Sequence, residues 1–288
     1  LATDVVRFVG EAGAVVAATS AAAARDAAAL VMVDYDELPA VVDPETAIDP
    51  KSTPLFAQHG NNLAMVVTDP DNPNLFDGAD VVVRGRYVNQ RIAVAALEPL
   101  AAASEIDADG RLVAHASTQM PHMFHQLLAG ALGIGTDRIH VITPHVGGGF
   151  GGKLGPNGEQ TVVAALAWRL KRPITWTATR SEDMLILGHS RAQIQYVELG
   201  CKKDGTFTGM RVRLVGDGGA YPAIGVFLPA GTKRMSNGNY RFPNIVFDVA
   251  VAVTNTVPTG AYRGAGRPEA TALVERAVDH AALELGID

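Results

Sequence analysis

The stretch Val146-Gly147-Gly148-Gly149-Phe150-Gly151-Gly152-Lys153 decides how the chain is read. Five of the six positions from 147 to 152 are glycine. Without Cβ atoms, successive backbone N–H groups can converge on one concavity and meet an anionic or acceptor-rich group closely. An ordinary turn needs one or two glycines, so a ligand loop is the stronger reading. Before it, Arg138–Thr143 reads as a strand; after it, Thr161–Leu170 reads as an apolar helix and Pro173–Thr177 as a strand. The helix N-terminus near residue 158 adds a positive dipole end.

Two nucleotide-binding motifs bear on the loop. Gly147, Gly149 and Gly152 fit G-x-G-x-x-G. However, Gly155-Pro156-Asn157-Gly158 delay the helix, and Thr179-Arg180 stand where the ribose-binding acid belongs. An NADP-type arginine keeps a Rossmann oxidoreductase open as an alternative. The Walker pattern fails because Leu154, not Ser or Thr, follows Lys153.

Further out, Met123–Leu132 carries apolar residues at helical spacing behind Pro121, with Gly133 as its stop. Val81–Ala95 reads as long strands or a hairpin, and strands are expected at 193–200, 206–215 and 245–254. Glu269–Leu285 reads as a long closing helix. The first 50 residues read as strand, helix, strand: Ala14–Ala18, an Ala-rich helix over Ala21–Leu30 capped by Thr19-Ser20, and Val31–Val33. Pro44, Pro50 and Pro54 mark a boundary, and Asp69–Asp77 is a surface turn. Strands and helices mix without strict alternation, so the fold class is α+β.

A second loop, Gly260-Ala261-Tyr262-Arg263-Gly264-Ala265-Gly266-Arg267-Pro268-Glu269, opens the last helix. Its arginines are fixed cations able to meet a phosphate or a developing oxyanion, although exposed loops often carry arginine beside glycine.

Composition narrows the classes. The 288 residues include one Cys, which cannot form an intrachain disulfide, an all-cysteine zinc site or an iron–sulfur cluster. With 48% hydrophobic and 19% charged residues the chain is not compositionally disordered. The net charge of −6 comes without a basic stripe, so the footprint of a nucleic-acid binder is missing. No apolar run reaches membrane-span length. The chain opens on Leu1 and reads as an interior piece of a longer protein.

Taken in order, Ser117-Thr118-Gln119, GGGFGGK at 147–153 and AYRGAGR at 261–267 resemble the molybdenum hydroxylases, the family of xanthine dehydrogenase, aldehyde oxidase and aerobic carbon-monoxide dehydrogenase large subunits. The arginine loop resembles the form II branch of the carbon-monoxide-dehydrogenase-like subunits. RFVGE and DYDELPAVVDP within residues 1–50 resemble the end of that family's α/β hammerhead domain. The resemblance implies a hammerhead tail over 1–50, a linker over 51–78, and over 79–288 the first molybdopterin-binding domain of mixed strands and helices.

The same resemblance implies a molybdenum cofactor, molybdopterin cytosine dinucleotide, contacted by Gly148, Gly149, Phe150 and Gly151. Gln119 stands beside the metal, Phe150 lines the pocket, and Arg263 stabilises charge at the substrate end. In the family, a hydroxide on molybdenum attacks an electron-poor carbon of an aldehyde or N-heterocycle. Electrons then leave to an iron–sulfur small subunit and an FAD-binding medium subunit, in a cytoplasmic dimer of heterotrimers. Three departures stand out. Gly264 occupies the position of the copper-holding Cys of carbon-monoxide oxidisers. Leu154 occupies that of a purine-recognising Glu. The family's general-base Glu lies in a segment beyond Asp288. A catalytically silent scaffold is the non-enzyme alternative.

Other candidates carry less. His122, His125, His140 and His145 lack a diagnostic metal-ligand spacing and read as ordinary polar residues. Cys201 reads as packing, Trp168 and Trp176 as core, and Glu182-Asp183 and Asp107/Asp109 as solvated turn carboxylates.

Overall fold

The computed structural model describes residues 1–288. They form two compact units that interleave in sequence: Leu1–Pro39 with Ala93–Leu187, and Ala40–Ile92 with Gly188–Asp288. In chain order the elements are α1 (Ala21–Ala28), α2 (Pro44–Ala47), β1 (Leu63–Val67), β2 (Val81–Asn89), β3 (Ala101–Ile106), β4 (Leu112–Ala116) and α3 (Pro121–Leu132). There follow β5 (Ile139–Ile142), α4 (Gly158–Leu170), β6 (Ile174–Thr177), α5 (Arg180–Ile186), β7 (Gln193–Cys201) and β8 (Phe207–Asp217). The last three are α6 (Leu228–Met235), β9 (Ile245–Ala252) and α7 (Arg267–Leu285). Short 3₁₀ turns complete the path.

The first unit is built on a four-stranded sheet of order β5-β4-β3-β6. Helices α3 and α4 bury Phe124, Leu128, Ala164 and Ala167 against Leu112, Ala114 and Ile139 of the sheet. Pro121 starts α3, and Gly133, at φ 65°, ends it in the left-handed conformation that glycine adopts at low cost. Asn157 and Gln160 close a reciprocal capping box at the start of α4, and Thr179 with Glu182 does the same for α5. Glu182 is thus a helix cap.

This topology rules out the Rossmann alternative. The strands flanking the glycine loop, β5 and β6, are separated by β4 and β3, and β6 runs antiparallel to its one neighbour β3. A dinucleotide fold places such strands side by side in a parallel sheet.

The second unit is a five-stranded sheet of order β1-β9-β8-β7-β2. Side chains alternate across its pleat. Val83, Tyr87, Val197, Leu199, Met210, Val212 and Leu214 pack with Leu273, Val274, Ala277 and Ala281 of α7 in one core. On alternate positions, Arg84 pairs with Glu198, Arg86 pairs with Glu45, and Arg213 stacks on the Tyr196 ring.

Several expectations meet a different outcome. Val81–Ala95 is neither a hairpin nor a run of strands. It holds the single strand β2, which pairs along its whole length with β7. Ala14–Ala18 and Val31–Val33 form no strand. They gain no ladder partner, and an unpaired extended segment leaves its backbone groups to water. The helix after Ser20 does form, with the Ser20 hydroxyl accepting from the Ala23 amide. Strand β1 lies within residues 51–78 and pairs with β9. No helix is long and apolar enough to cross a membrane.

Candidate functional site

The glycine loop belongs wholly to the first unit, and one buried lysine organises it. Lys153 is fully buried, and its ammonium donates to the Glu98 carbonyl at 2.7 Å, to Glu98 Oε2 at 2.9 Å and to Ser117 Oγ at 2.7 Å. Those three bonds use all three ammonium protons. Glu98 Oε2 also accepts from the Ser117 hydroxyl at 2.7 Å and from the Gly147 amide at 2.8 Å, while the Glu98 amide donates back to the Gly147 carbonyl at 3.1 Å. Both ends of the loop, 147 and 153, are therefore tied to one glutamate. Burial opposes ionisation of Glu98, but the bonds from Ser117, Lys153 and Gly147 outweigh it and hold the carboxyl below the ordinary value.

The Ser117-Thr118-Gln119 segment leaves the end of β4 and binds the same loop. The Gln119 amide and the Thr118 hydroxyl both donate to the Lys153 carbonyl, at 2.9 and 3.0 Å. Gln119 Oε1 accepts from the Gly151 amide at 2.8 Å. That bond fixes which end of the side chain faces inward, because an N–H can meet only the carboxamide oxygen. The Gln119 NH₂ is left as a free donor. A Cβ on Gly149 would lie 2.5 Å from Gln119 Oε1 and 3.1 Å from its Cβ, so any larger residue would displace the Gln119 carboxamide.

The loop amides divide accordingly. Those of Gly147, Gly151 and Gly152 are spent on Glu98, Gln119 and the Gly149 carbonyl. Those of Gly148, Gly149 and Phe150 make no hydrogen bond within the chain. Phe150 sits at φ 52°, a conformation non-glycine residues rarely hold, and the residue is 46% exposed. Three successive free donors, a free carboxamide NH₂ and a cradle that a Cβ would fill fit a molybdopterin-type group rich in acceptor atoms. Of the expected cofactor contacts, Gly148, Gly149 and Phe150 keep their amides available, whereas Gly151 lends its amide to Gln119.

The arginine loop lies in the second unit. The Arg263 side chain is exposed and makes no hydrogen bond or ion pair within the chain, while its carbonyl accepts from Arg191 Nη2 at 2.9 Å. Arg191 Nη1 pairs at 3.0 Å with Oε1 of Glu269, which is fully buried in the first turn of α7. Residues 264, 265 and 266 all have positive φ. Gly264, at φ +102°, would put a Cβ 2.6 Å from Pro268 Cδ. Buried Gln193 Nε2 and Glu269 Oε2 find no partner in the chain.

Sequence reading missed Glu98, the lysine clasp, Arg191 and Glu269. It also placed Asp183 at the surface. That carboxylate is fully buried, accepts from the Leu100 amide at 2.8 Å and pairs with Arg180 at 3.0 Å. Asp107 remains a turn residue bonded to Arg111, and Cys201 is buried packing. Trp168 is half-buried, with Arg138 and Lys171 against its ring.

Residues 55–288 match the profile of a molybdopterin cofactor-binding domain. The chain is 30% identical over 288 residues to the nicotinate dehydrogenase large molybdopterin subunit of Eubacterium barkeri, covering all of this chain and 68% of that one. It is 31% identical over 314 residues to the carbon monoxide dehydrogenase large chain of Hydrogenophaga pseudoflava, covering 100% of this chain and 38% of that one. Among solved structures, quinoline 2-oxidoreductase from Pseudomonas putida 86 superposes with a TM-score of 0.91 at 31% identity, over 100% of this chain and 37% of that one.

Proposed function

Because the chain belongs to the molybdopterin cofactor-binding family found in molybdenum-hydroxylase large subunits, we propose that it is the cofactor-holding part of an enzyme that oxidises an N-heterocycle or an aldehyde. The observation that carries this reading is the row of three unpaired amides, Gly148 to Phe150, beside the free NH₂ of Gln119. The similarity to a nicotinate dehydrogenase favours an N-heterocycle, and that to a quinoline 2-oxidoreductase favours a ring carbon next to nitrogen as the site of oxidation.

When bound, the molybdenum–pterin group supplies two-electron redox chemistry. The chain's own residues orient and polarise. The amides of Gly148, Gly149 and Phe150 donate to the cofactor, and Gln119 donates from its NH₂ while its oxygen stays locked on Gly151. The exposed Phe150 ring lines the substrate pocket and keeps water from it. Arg263, with no acid to neutralise it, stabilises negative charge developing on the substrate, a contact typically worth about 3–4 kcal/mol in a transition state. Carbon monoxide is disfavoured as the substrate, because Gly264 offers no copper ligand and its backbone resists a Cβ.

The finer assignments belong to the same proposal. The cofactor is the cytosine dinucleotide form. The electrons pass to iron–sulfur and FAD-binding subunits, in a cytoplasmic dimer of heterotrimers. Residues 1–50 are a hammerhead tail, 51–78 a linker that lends β1 to the sheet of β7 to β9, and 79–288 the cofactor domain. Dye-coupled oxidation of nicotinate, quinoline, benzaldehyde and carbon monoxide by the intact enzyme tests the substrate class. Turnover of a heterocycle or the aldehyde supports it, and turnover of carbon monoxide alone overturns it. Release of CMP on mild acid hydrolysis tests the dinucleotide.

A further inference from the structure

We propose that Arg191, braced by Glu269, is a positioning residue that aims Arg263. The proposal rests on the reading of Arg263 as the substrate-end cation. Arg191 and Ala192 are consecutive non-glycine residues with positive φ, 65° and 54°, immediately before β7 begins. Two adjacent L-residues in this conformation persist only where their surroundings hold them there. The bend brings the Arg191 guanidinium across the arginine loop. One nitrogen pairs with Glu269 where the loop exits into α7, and another donates to the Arg263 carbonyl at the loop's head. The Arg191 Cζ lies 5.0 Å from the centroid of the Tyr262 ring.

Few other bonds hold the loop. The Ala265 amide donates to the Tyr262 carbonyl, and Arg267 donates to the Gly264 carbonyl through its amide and its side chain. These are internal to the loop, and at its start the Gly260 amide donates to the His189 carbonyl at 2.6 Å. The bond from Arg191 is the only one from outside that reaches the Arg263 backbone. Three positive-φ residues follow Arg263, and Ala265, at φ 45°, keeps that conformation only where its surroundings hold it. Glu269 is itself anchored, since its carbonyl accepts from Gln195 of β7 at 3.3 Å. The Arg191 side chain is 12% exposed and its partner wholly buried, so the pair is little screened by solvent. Arginine suits this role because its planar fork reaches two acceptors and a ring face at once; lysine offers a single charged point.

The test uses the intact enzyme and four variants, Arg191→Met, Arg191→Lys, Glu269→Gln and Arg263→Ala. The first readout needs neither cofactor nor substrate. Limited trypsin digestion followed by mass spectrometry gives the rate of cleavage at the Arg263–Gly264 bond, with cleavage after exposed Arg111 as the control. Loss of the clamp should raise that rate about tenfold in Arg191→Met and less in Arg191→Lys, through local opening of the loop alone.

The second readout is steady-state oxidation of whichever of nicotinate, quinoline or benzaldehyde the enzyme turns over. Arg191→Met should lower kcat about tenfold with KM little changed, molybdenum content retained, and no further loss when combined with Arg263→Ala. A merely structural defect would subtract additional activity in the Arg263→Ala background. An unchanged cleavage rate in both Arg191→Met and Glu269→Gln overturns the clamp. If Arg191→Met does not fold, Glu269→Gln decides, since it keeps the side-chain shape and removes the charge. If Arg263→Ala leaves turnover intact, the reading of Arg263 fails, while the cleavage rates still decide whether the loop is clamped.

Discussion

The two loops solve opposite problems with similar parts. Each is rich in glycine, and each is fastened by one ion pair joining residues far apart in sequence: Lys153 with Glu98, and Arg191 with Glu269. In the glycine loop the cation is consumed inside, and the amides of Gly148, Gly149 and Phe150 are left unpaired. In the arginine loop the Arg263 backbone is tied down, and a side-chain cation faces outward. The first presents a row of weak, directional donors; the second presents a full charge. A large acceptor-rich cofactor suits the former and a small charge developing during reaction the latter.

The largest expected effect separates these roles. Arg263→Ala in the intact enzyme should lower kcat by about 10²–10³-fold while leaving molybdenum content intact. Equal loss of both would mean that the arginine loop also holds the cofactor, and the contrast would collapse. Next is Lys153→Met. Removing one partner of a buried ion pair should cost about 3 kcal/mol by urea denaturation, the low end of the range because Glu98 keeps access to water.

A smaller effect is expected at Gly264. Gly264→Ala should lose about 1–2 kcal/mol, because a Cβ at that positive φ is strained and meets Pro268. A neutral result would mean that the loop relaxes freely, and a cysteine there could then be accommodated. The mildest test is pH. The Glu98 carboxyl is held below its ordinary value of 4.5, so its contribution is complete above that pH and is lost as pH falls through the lowered value. Hydrogen exchange at the Gly147 amide should quicken relative to the intrinsic rate as that point is passed. Glu98→Gln should abolish the dependence.

Much of this was legible in the sequence. Helices α3 and α7 carry their apolar residues at helical spacing between an early proline and a closing glycine, α4 starts on the Asn157 capping box, and β9 is dense in β-branched residues. β3 was not legible, since Ala101-Ala102-Ala103 has no strand preference and becomes a strand by pairing with β4 on one side and β6 on the other. α6 was hidden by Pro229 and Gly231, although proline in a first helical turn is well tolerated. The glycine loop announced itself because it is contiguous. Its clasp did not, because Glu98 stands 55 residues before Lys153 and nothing local links them. Arg191 and Glu269, 78 residues apart, are the same case.

The central claim is that the free amides of Gly148 to Phe150 hold a molybdenum–pterin cofactor. The direct measurement is molybdenum by elemental analysis of the intact protein from a molybdenum-replete host, alongside Gly149→Val. In that variant a Cβ would meet Gln119 Oε1 at 2.5 Å and close the cradle. The account predicts molybdenum in the wild type and at least about a tenfold loss in a variant that still unfolds cooperatively. Molybdenum absent from the wild type, or retained in Gly149→Val, would contradict it.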